Sequence, residues 1–301
     1  MFWRGTHKFN NIEILSGGTL AGLGVSPKGR TWYVDSVSGV DTYDGKSWAK
    51  AFKTIAVAVD AASAGDTIAM KGSFSEEVTC SLAGVTFVGC GTRPRETQWT
   101  AAADEVCLTI SANYVKVQNI YFRPPAYSSS RATSAITLSG ANYACITGCR
   151  FQGKTGSQAA IYSPVCNSDN VEISDCEFMY MNTATYGAAI LGVEAGGLSY
   201  SGWKILNNIF SSCVTAININ GRVCQVIGNT ILEYGIAADS TLGAVLTLGI
   251  DLSGTSSGAN VVYLNQLGGT YSATLYKVGT SGDQWYGNGI VTTGYSAANP
   301  S

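Results

Sequence analysis

Short stretches with an apolar residue at every second position recur along the chain from residue 84 onward. Residues 170–178 read NVEISDCEF, in which Val171, Ile173 and Phe178 alternate with polar neighbours. This alternation predicts β-strands with one face in a core. Related phrases are YVKVQNIYF (114–122), YACITGCRF (143–151), GWKILNNIF (202–210), VCQVIGNTI (223–231), ANVVYLNQL (259–267) and QWYGNGI (284–290), with a looser GVTFVGCGT at 84–92.

The phrases repeat at solenoid spacing. Equivalent positions, taken two residues before the end of each phrase, are separated by 21 residues between Asn208 and Asn229 and by 36 residues between Asn229 and Asn265. Helical repeats do not fit, because the phrases alternate with period two. A second, shorter strand is predicted after each phrase: AITL (135–138), AAIY (159–162), AAILGV (188–193), TAININ (215–220), GAVLTLGI (243–250) and ATLYKV (273–278).

These repeats predict an all-β fold, a right-handed parallel β-helix of about eight coils in which like residues stack on like residues. Val117, Ile146, Ile173, Ile205, Val226 and Val262 form one predicted inward column, and Phe122, Phe151, Phe178 and Phe210 form another. A structural ladder of stacked polar side chains is predicted for Cys149, Cys176, Asn208, Asn229, Asn265 and Asn288. On the solvent side, Arg150 is expected to lie over Glu177, and Glu172 over Lys204.

The ends of the chain differ from the repeats. Residues 1–31 are Gly-rich and aperiodic, and predict an N-terminal arm. Residues 32–80 predict a capping strand and a short helix that stops at Gly65. The β-helix itself is expected to span 32–290, with a C-terminal tail at 291–301.

The segment WYVDSVSGVDTYDGKSWAKAFKTIAVAVDAASAGDTIAMKGSFSEEV, followed by GVTFVGCG and the Asn-bearing phrases, resembles the start of β-helix proteins of the pectin lyase-like fold. The resemblance covers roughly residues 32–290 and implies the fold. It implies little about function, since this fold hosts lyases, hydrolases, adhesins and structural rods.

The composition and charge of the chain argue against several kinds of function. The net charge is −2 and no basic tract is present, so no nucleic-acid partner is expected. No apolar run reaches the length of a membrane span, and the N-terminus does not read as a signal peptide. His7 is the one histidine, which excludes a Ser/His/Asp triad in the repeats. No cofactor is expected, and the nine cysteines are expected to be free.

Candidate chemistry in the repeats is sparse. Enzymes of the resembled fold use clustered acids that hold calcium and an Arg base, and no such pattern matches here, so no catalytic residue is carried over. A glycosidase needs two nearby carboxylates, for which Asp175 with Glu194 and Glu177 with Asp239 are the options. Cys149 and Cys176 suit a thiol stack or a disulfide.

The loop DSVSGVDTYDG places Asp35, Asp41 and Asp44 close together in sequence. A calcium loop is one interpretation. It lacks the EF-hand spacing and terminal Glu, so the favoured interpretation is a turn whose carboxylates accept backbone N–H groups. No metal site is therefore predicted.

The insertions between strands are rich in Tyr, Ser, Thr and Gly, a composition typical of adaptable contact surfaces. They predict glycan or partner contacts at Tyr127, Tyr180, Tyr186, Tyr200 and Tyr234, with ordinary polar loops as the alternative. Attachment to a larger assembly is predicted for Phe2, Trp3, Arg4 and Phe9 in the arm.

A β-helix with no apparent export signal suggests a bacteriophage virion protein, made in the host cytoplasm. We expect a non-enzymatic capsid-decorating or tail-associated protein that docks through its arm onto other virion proteins and associates with itself. The alternative is a tailspike-like protein that binds or degrades a host surface polysaccharide, as a glycoside hydrolase or lyase. A bacterial adhesin is a third possibility.

Overall fold

The chain winds into a parallel β-helix whose coils each contribute strands to three long sheets, which confirms the predicted fold. The structure is a computed structural model. It describes residues 29–91, 96–101, 105–123, 134–153, 159–163, 167–181, 188–192, 200–232, 248–254, 258–268, 276–277, 282–291 and 295–297.

Sheets A and B share strand β2 (Thr67–Phe74), which runs from one into the other. Sheet A further contains β1 (Thr31–Asp35), β4 (Thr86–Gly89), β7 (Lys116–Gln118), β10 (Cys145–Thr147), β13 (Glu172–Ser174), β17 (Lys204–Leu206), β21 (Gln225–Ile227), β24 (Val261–Tyr263) and β27 (Gln284–Tyr286). Sheet B contains β5 (Thr97–Thr100), β8 (Tyr121–Arg123), β11 (Arg150–Gln152), β14 (Glu177–Met179), β18 (Ile209–Ser211), β22 (Thr230–Leu232), β25 (Gln266–Gly268), β28 (Gly289–Val291) and the antiparallel β29 (Tyr295–Ala297).

Sheet C is parallel throughout. It contains β3 (Val78–Cys80), β6 (Leu108–Ile110), β9 (Ser134–Leu138), β12 (Ala159–Ser163), β15 (Ala188–Gly192), β19 (Thr215–Ile219), β23 (Leu248–Asp251) and β26 (Tyr276–Lys277). A separate two-stranded sheet pairs β16 (Tyr200–Ser201) with β20 (Gly221–Arg222). Every coil therefore follows the same path from sheet A to sheet B to sheet C.

The bend between sheets A and B splits each repeated phrase into two strands. In NVEISDCEF, β13 ends at Ser174, Asp175 takes a φ of 53°, and β14 begins at Glu177. A single left-handed residue turns the chain sharply while the following strand keeps its register. The same bend is made by Asn119, Gly148, Asn207, Gly228, Leu264 and Gly287. The phrase is thus a bent unit and not one straight strand.

The interior is filled by the predicted columns. Ile146 pairs in register with Val117 and Ile173, and all three are fully buried. Phenylalanines at the phrase ends stack face to face, with ring centroids 4.9 Å apart between Phe151 and Phe178. Such burial stabilises the fold by about 2 kcal/mol for each large side chain. The aromatic column runs through Trp99, Phe122, Phe151, Phe178 and Phe210.

The N-terminal end is closed by helix α1 (Ile55–Ala61) and a 3-10 turn (Trp48–Lys50). The helix was expected to stop at Gly65, and this is wrong: Ala62 leaves the helix in an extended conformation, and Gly65, with a φ of 84°, forms a later turn into β2. Glu76 caps the helix by accepting the N–H groups of Ile55 and Ala56. Within the described residues, no helix has the length and apolarity needed to cross a membrane.

The looser phrase at 84–92 was misaligned. In this coil residues 90–96 separate β4 from β5, and Trp99, not Thr92, stacks on Phe122. Cys90 therefore lies outside the ladder column. Two residues before Trp99, the buried Thr97 donates its hydroxyl to the carbonyl of Met70 at 2.9 Å.

Candidate functional site

Four asparagines form a continuous amide ladder at the bend between sheets A and B. The Oδ1 of Asn229 accepts both the backbone N–H and the Nδ2 of Asn208, at 2.9 and 3.0 Å, and Asn265 and Asn288 repeat the arrangement. Each Nδ2 also donates to a strand carbonyl of the preceding coil. Because these amides are buried and mutually bonded, they hold the coils together and are not open to a ligand.

Two thiols continue this ladder towards the N-terminus. The Sγ atoms of Cys149 and Cys176 lie 3.6 Å from the carbonyls of Val117 and Ile146, the same column of carbonyls that the asparagines use. Burial, reinforced by the neighbouring Cys149 thiol, raises the pKa of Cys176 well above its ordinary value. Both are free thiols. Since nucleophilic cysteines need a lowered pKa, Cys176 is a packing and hydrogen-bonding group.

The outer face of sheet B brings charged and polar side chains of three successive coils together. We name it the arginine face and define it by Tyr121, Arg123, Arg150, Gln152 and Glu177, from β8, β11 and β14. The strands place Arg150 directly between Tyr121 and Glu177 in register. The segments 124–133, 154–158 and 182–187, which come after these strands in the sequence, lie outside the described residues.

Arg150 is the centre of this face. Its Nη1 lies 3.4 Å from the Oε2 of Glu177, its Nη2 donates to the Sδ of Met179 at 2.9 Å, and its guanidinium lies 5.7 Å from the Tyr121 ring centroid. The Tyr121 hydroxyl donates to the Oε1 of Gln152. The predicted Arg150–Glu177 pair is therefore present, but it is not an ordinary solvated pair, because the Arg150 side chain is only 13% exposed.

Among the residues that the structure describes, two donors on the arginine face have no hydrogen-bond partner. These are the Nε atoms of Arg123 and Arg150, both buried. A buried N–H without an acceptor costs about 1–3 kcal/mol, and such groups in native proteins call for an explanation. Sheet neighbours also bury the outward-facing Tyr121 to 9% exposure. These Nε–H groups lie in a dry setting, where an acceptor is held most strongly, and a ligand reaches them only when the side chains that cover them move aside.

Each proposed carboxylate pair has one member outside the described residues, so both pairs stay predictions. Glu177 is engaged by Arg150, and Asp175 lies at the exposed bend before it. Glu194 and Asp239 lie outside the described residues. Among the residues that are described, no three His, Cys, Asp or Glu side chains come together in a way that could hold a metal ion.

The Asp-rich loop near the N-terminus is a backbone-capping turn, as favoured. The Oδ1 of Asp41 accepts the N–H groups of Lys53 and Thr54, and Asp44 accepts that of Lys46. Burial of Asp35 by itself would raise its pKa, but the N–H groups of Ser38 and Val37 and the Lys71 ammonium outweigh burial and lower the pKa. These carboxylates already have partners within the chain.

One predicted contact residue is wrong. Tyr200 is fully buried: its hydroxyl donates to the carbonyl of Ser163 at 2.6 Å and its ring packs 4.9 Å from that of Trp203. Its place in the small β16–β20 sheet turns the side chain inward. Tyr180 is half-buried and follows β14 beside the arginine face. The remaining predicted contacts Tyr127, Tyr186 and Tyr234, and the attachment residues Phe2, Trp3, Arg4 and Phe9, lie outside the described residues.

Sequence reasoning missed two features of the surface. Tyr121, Arg123 and Gln152 were not singled out, although their outward positions follow from the same alternation that buries Phe122 and Phe151. The second feature is an exposed, stacked pair, Tyr114 and Tyr143, whose ring centroids lie 4.9 Å apart. Aligning the first residue of the phrases YVKVQNIYF and YACITGCRF would have found it.

No family model and no curated protein sequence matches the chain. Solved structures do. A rhamnogalacturonan lyase superposes with a TM-score of 0.56 at 14% identity, covering 80% of this chain and 74% of the lyase. An alginate lyase from Paenibacillus sp. str. FPU-7 gives 0.56 at 12% identity, covering 89% of this chain and 99% of the lyase.

The GH136 lacto-N-biosidase from Eubacterium ramulus gives a TM-score of 0.62 at 12% identity, covering 86% of this chain but 55% of the biosidase. This chain thus spans about half the length of that enzyme. At sequence identities this low, a structural likeness indicates a shared fold and does not indicate a shared activity. The chain is, by its sheets and by these likenesses, a right-handed parallel β-helix of the kind found in polysaccharide-acting enzymes.

Proposed function

We propose that this chain binds an anionic polysaccharide, and that the arginine face is the contact surface. The observation that carries the proposal is the pair of buried Nε donors of Arg123 and Arg150, which lack an acceptor. A carboxylate would supply one, since a guanidinium presents its N–H groups as a planar fork that matches two carboxylate oxygens.

The surrounding side chains suit a sugar acid. Tyr121 and Gln152 offer a hydroxyl and an amide for sugar hydroxyl groups, and both already bond to each other in the free protein. Glu177 balances the charge of Arg150 through Nη1 and leaves Nε free. Polar groups fixed in this way on a partly apolar surface are typical of small-molecule sites.

The activities named for the similar structures support a polysaccharide ligand over a purely structural role. The neighbours are two lyases and a biosidase. None of their residues is carried over to this chain. The proposal therefore covers binding, and cleavage of the bound glycan is a separate outcome of the same experiment.

Isothermal titration calorimetry with polygalacturonate and with neutral dextran tests the proposal. We expect polygalacturonate to bind and dextran not to bind. Arg150→Lys keeps the charge but removes Nε, and should weaken binding at least tenfold. The matched control is Lys204→Gln, which removes an exposed charge from sheet A and should change binding by less than twofold.

Equal affinity for both polymers, or unchanged binding in Arg150→Lys and Arg123→Lys, would overturn the proposal. Size-exclusion chromatography of polygalacturonate after incubation with the protein shows whether the protein also cleaves the bound glycan. Shortening of the polymer by the wild-type chain, absent with a heat-denatured sample, would make the protein a glycan-degrading enzyme.

A non-enzymatic virion component is the second candidate. Surface apolar side chains favour it, because Ile209 and Leu264 are about half exposed and suit assembly into a larger particle. In this role the chain is made in the host cytoplasm and docks through residues 1–31. Deletion of residues 2–31 should abolish incorporation into the particle, and an incorporated deletion variant would exclude docking by the arm.

A further inference from the structure

One outward column of sheet A changes from polar to apolar along the helix axis. Its first members after β4 are Gln118, Thr147 and Ser174, which pair in register. Its last members are Leu206, Ile227, Tyr263 and Tyr286 on β17, β21, β24 and β27. We name these four side chains the apolar stripe. Consecutive pairings join these four side chains in one line.

The apolar stripe is accessible to solvent. Tyr286 is 45% exposed, and the other three side chains are half-buried by their neighbours in the column. The rings of Tyr263 and Tyr286 lie 4.4 Å apart. At the adjoining corner of the coil, Leu264 and Ile209 are also about half exposed. A contiguous apolar patch of this kind on a soluble protein marks an interaction surface.

The neighbouring outward column carries few charges. Alongside the stripe it holds Lys204, Gln225, Val261 and Gln284, and in the polar half it holds Lys116 and Glu172. Charges of both signs alternate here, so a polyanionic or polycationic partner would gain little. Parallel axes set each of these three charges near its own copy, and the other positions of this column bring no charge repulsion.

We propose that the outer face of sheet A is the contact between two copies of this chain, whose β-helix axes run parallel about a two-fold axis. Side chains of the stripe recur at the spacing of strands, about 4.8 Å. A surface with that repeat fits best against another with the same repeat. Parallel axes place the stripe on the stripe and the polar half on the polar half, whereas full antiparallel overlap would bury Leu206 and Tyr286 against polar side chains.

The size of the face agrees with a stable dimer. Ten strands at about 4.8 Å give a height of about 45 Å, and a width of about five residues with their corners gives about 17 Å. The product, about 750 Å² for each copy, is close to the roughly 800 Å² that a specific interface buries on each partner. The apolar stripe alone would cover less than half of this area, so contact over the whole face, including its polar half, is needed to reach the usual size.

Light scattering coupled to size-exclusion chromatography, over a wide dilution series, tests the interface. We expect twice the chain mass of 31.4 kDa for the wild type. Ile227→Lys should give a monomer with an unchanged circular dichroism spectrum. The matched control Thr230→Lys changes a half-buried residue of the same coil on sheet B and should remain dimeric.

The arrangement is tested by charge rescue. With parallel axes, position 227 meets position 227 of the other copy, and position 263 meets position 263. Mixing Ile227→Lys with Ile227→Glu should restore the dimer, and so should mixing Tyr263→Lys with Tyr263→Glu. A monomeric wild type, or a dimeric Ile227→Lys, would overturn the interface, and rescue at one height alone would overturn the parallel arrangement. Neither the oligomeric state nor the charge rescue depends on glycan binding.

Discussion

The backbone N–H of Cys176 donates to the Oδ1 of Asn208, 2.9 Å away on the next coil, and this bond joins the thiol ladder to the amide ladder. Cys176 and Asn208 use the same geometry: each points its side-chain donor at a strand carbonyl of the preceding coil. The Nδ2 of an amide has two N–H groups, so Asn208 also donates to the Oδ1 of Asn229 on the following coil, while a thiol has one weak donor.

Asn229→Ala should lower the free energy of unfolding by about 3 kcal/mol, because several buried groups lose partners at once. These groups include the N–H of Asn208 and the carbonyl of Ile205. Chemical denaturation followed by tryptophan fluorescence measures the change. Gln225→Ala, which changes an exposed residue of the same coil on sheet A, is the control and should stay within about 0.5 kcal/mol of the wild type. A loss below about 1 kcal/mol for Asn229→Ala would mean that the ladder contributes little.

Cys176→Ser should cost about 1–2 kcal/mol of stability and leave glycan binding unchanged. A hydroxyl can donate to the carbonyl that Cys176 now contacts, but it is more expensive to bury than a thiol. Denaturation and calorimetry of one preparation separate the two effects. Weakened glycan binding at unaltered stability would instead give this thiol a functional role.

Stability should fall as the pH rises above about 9. Burial raises the pKa of Cys107, Cys213 and Cys224 to about 12, from an ordinary value of 9.0. Between these values the unfolded chain loses protons that the folded chain retains, so alkali favours unfolding, and the stabilisation present below pH 9 is lost towards pH 12. The slope is about 1.4 kcal/mol per pH unit for each thiol.

Urea midpoints measured from pH 7 to 11 give this slope. Cys213→Ala is the informative variant, since it removes one of the buried thiols and should reduce the slope by about 1.4 kcal/mol per pH unit. A midpoint that is constant across this range would contradict the burial of the thiols.

Val223→Asn should raise the free energy of unfolding by about 1 kcal/mol. Val223 is 62% exposed and has a φ of 55°, a left-handed conformation that costs a β-branched residue about 1–2 kcal/mol. Asparagine adopts it more readily, as Asn170 does at the equivalent turn. Val261→Asn, on the extended β24, serves as the control and should not gain stability. A loss of stability in Val223→Asn would show that its side chain has a contact worth more than the strain.

The stacked columns could be predicted because a solenoid repeats one local solution. Alternation with period two decides which side chains enter the core, and the common register then places Ile173 between Ile146 and Ile205. The ladder positions of Asn208 and Asn229 followed from the same alignment. Such interactions join neighbouring coils, so a repeat in sequence becomes a contact in space.

The alignment failed where a coil departs from the repeat. In the coil of β4 and β5, Thr97 and not Cys90 lies two residues before the stacked aromatic, and Tyr200 lies in the core at the start of β16, which pairs with β20. The local sequence pattern predicts neither of these positions. Tyr in particular is found on a surface and in a core almost equally often.

The amino-acid sequence by itself determined the coil, its core columns and its ladder, because each depends on periodicity and on like residues at equal positions. The tertiary structure decided the sharp bend inside each phrase, the burial of Arg150 and the meeting of Arg150 with Tyr121 and Glu177. These depend on how the strands of three successive coils come together on one face. Burial, and not residue type, turns Arg150 from a surface charge into a candidate binding group.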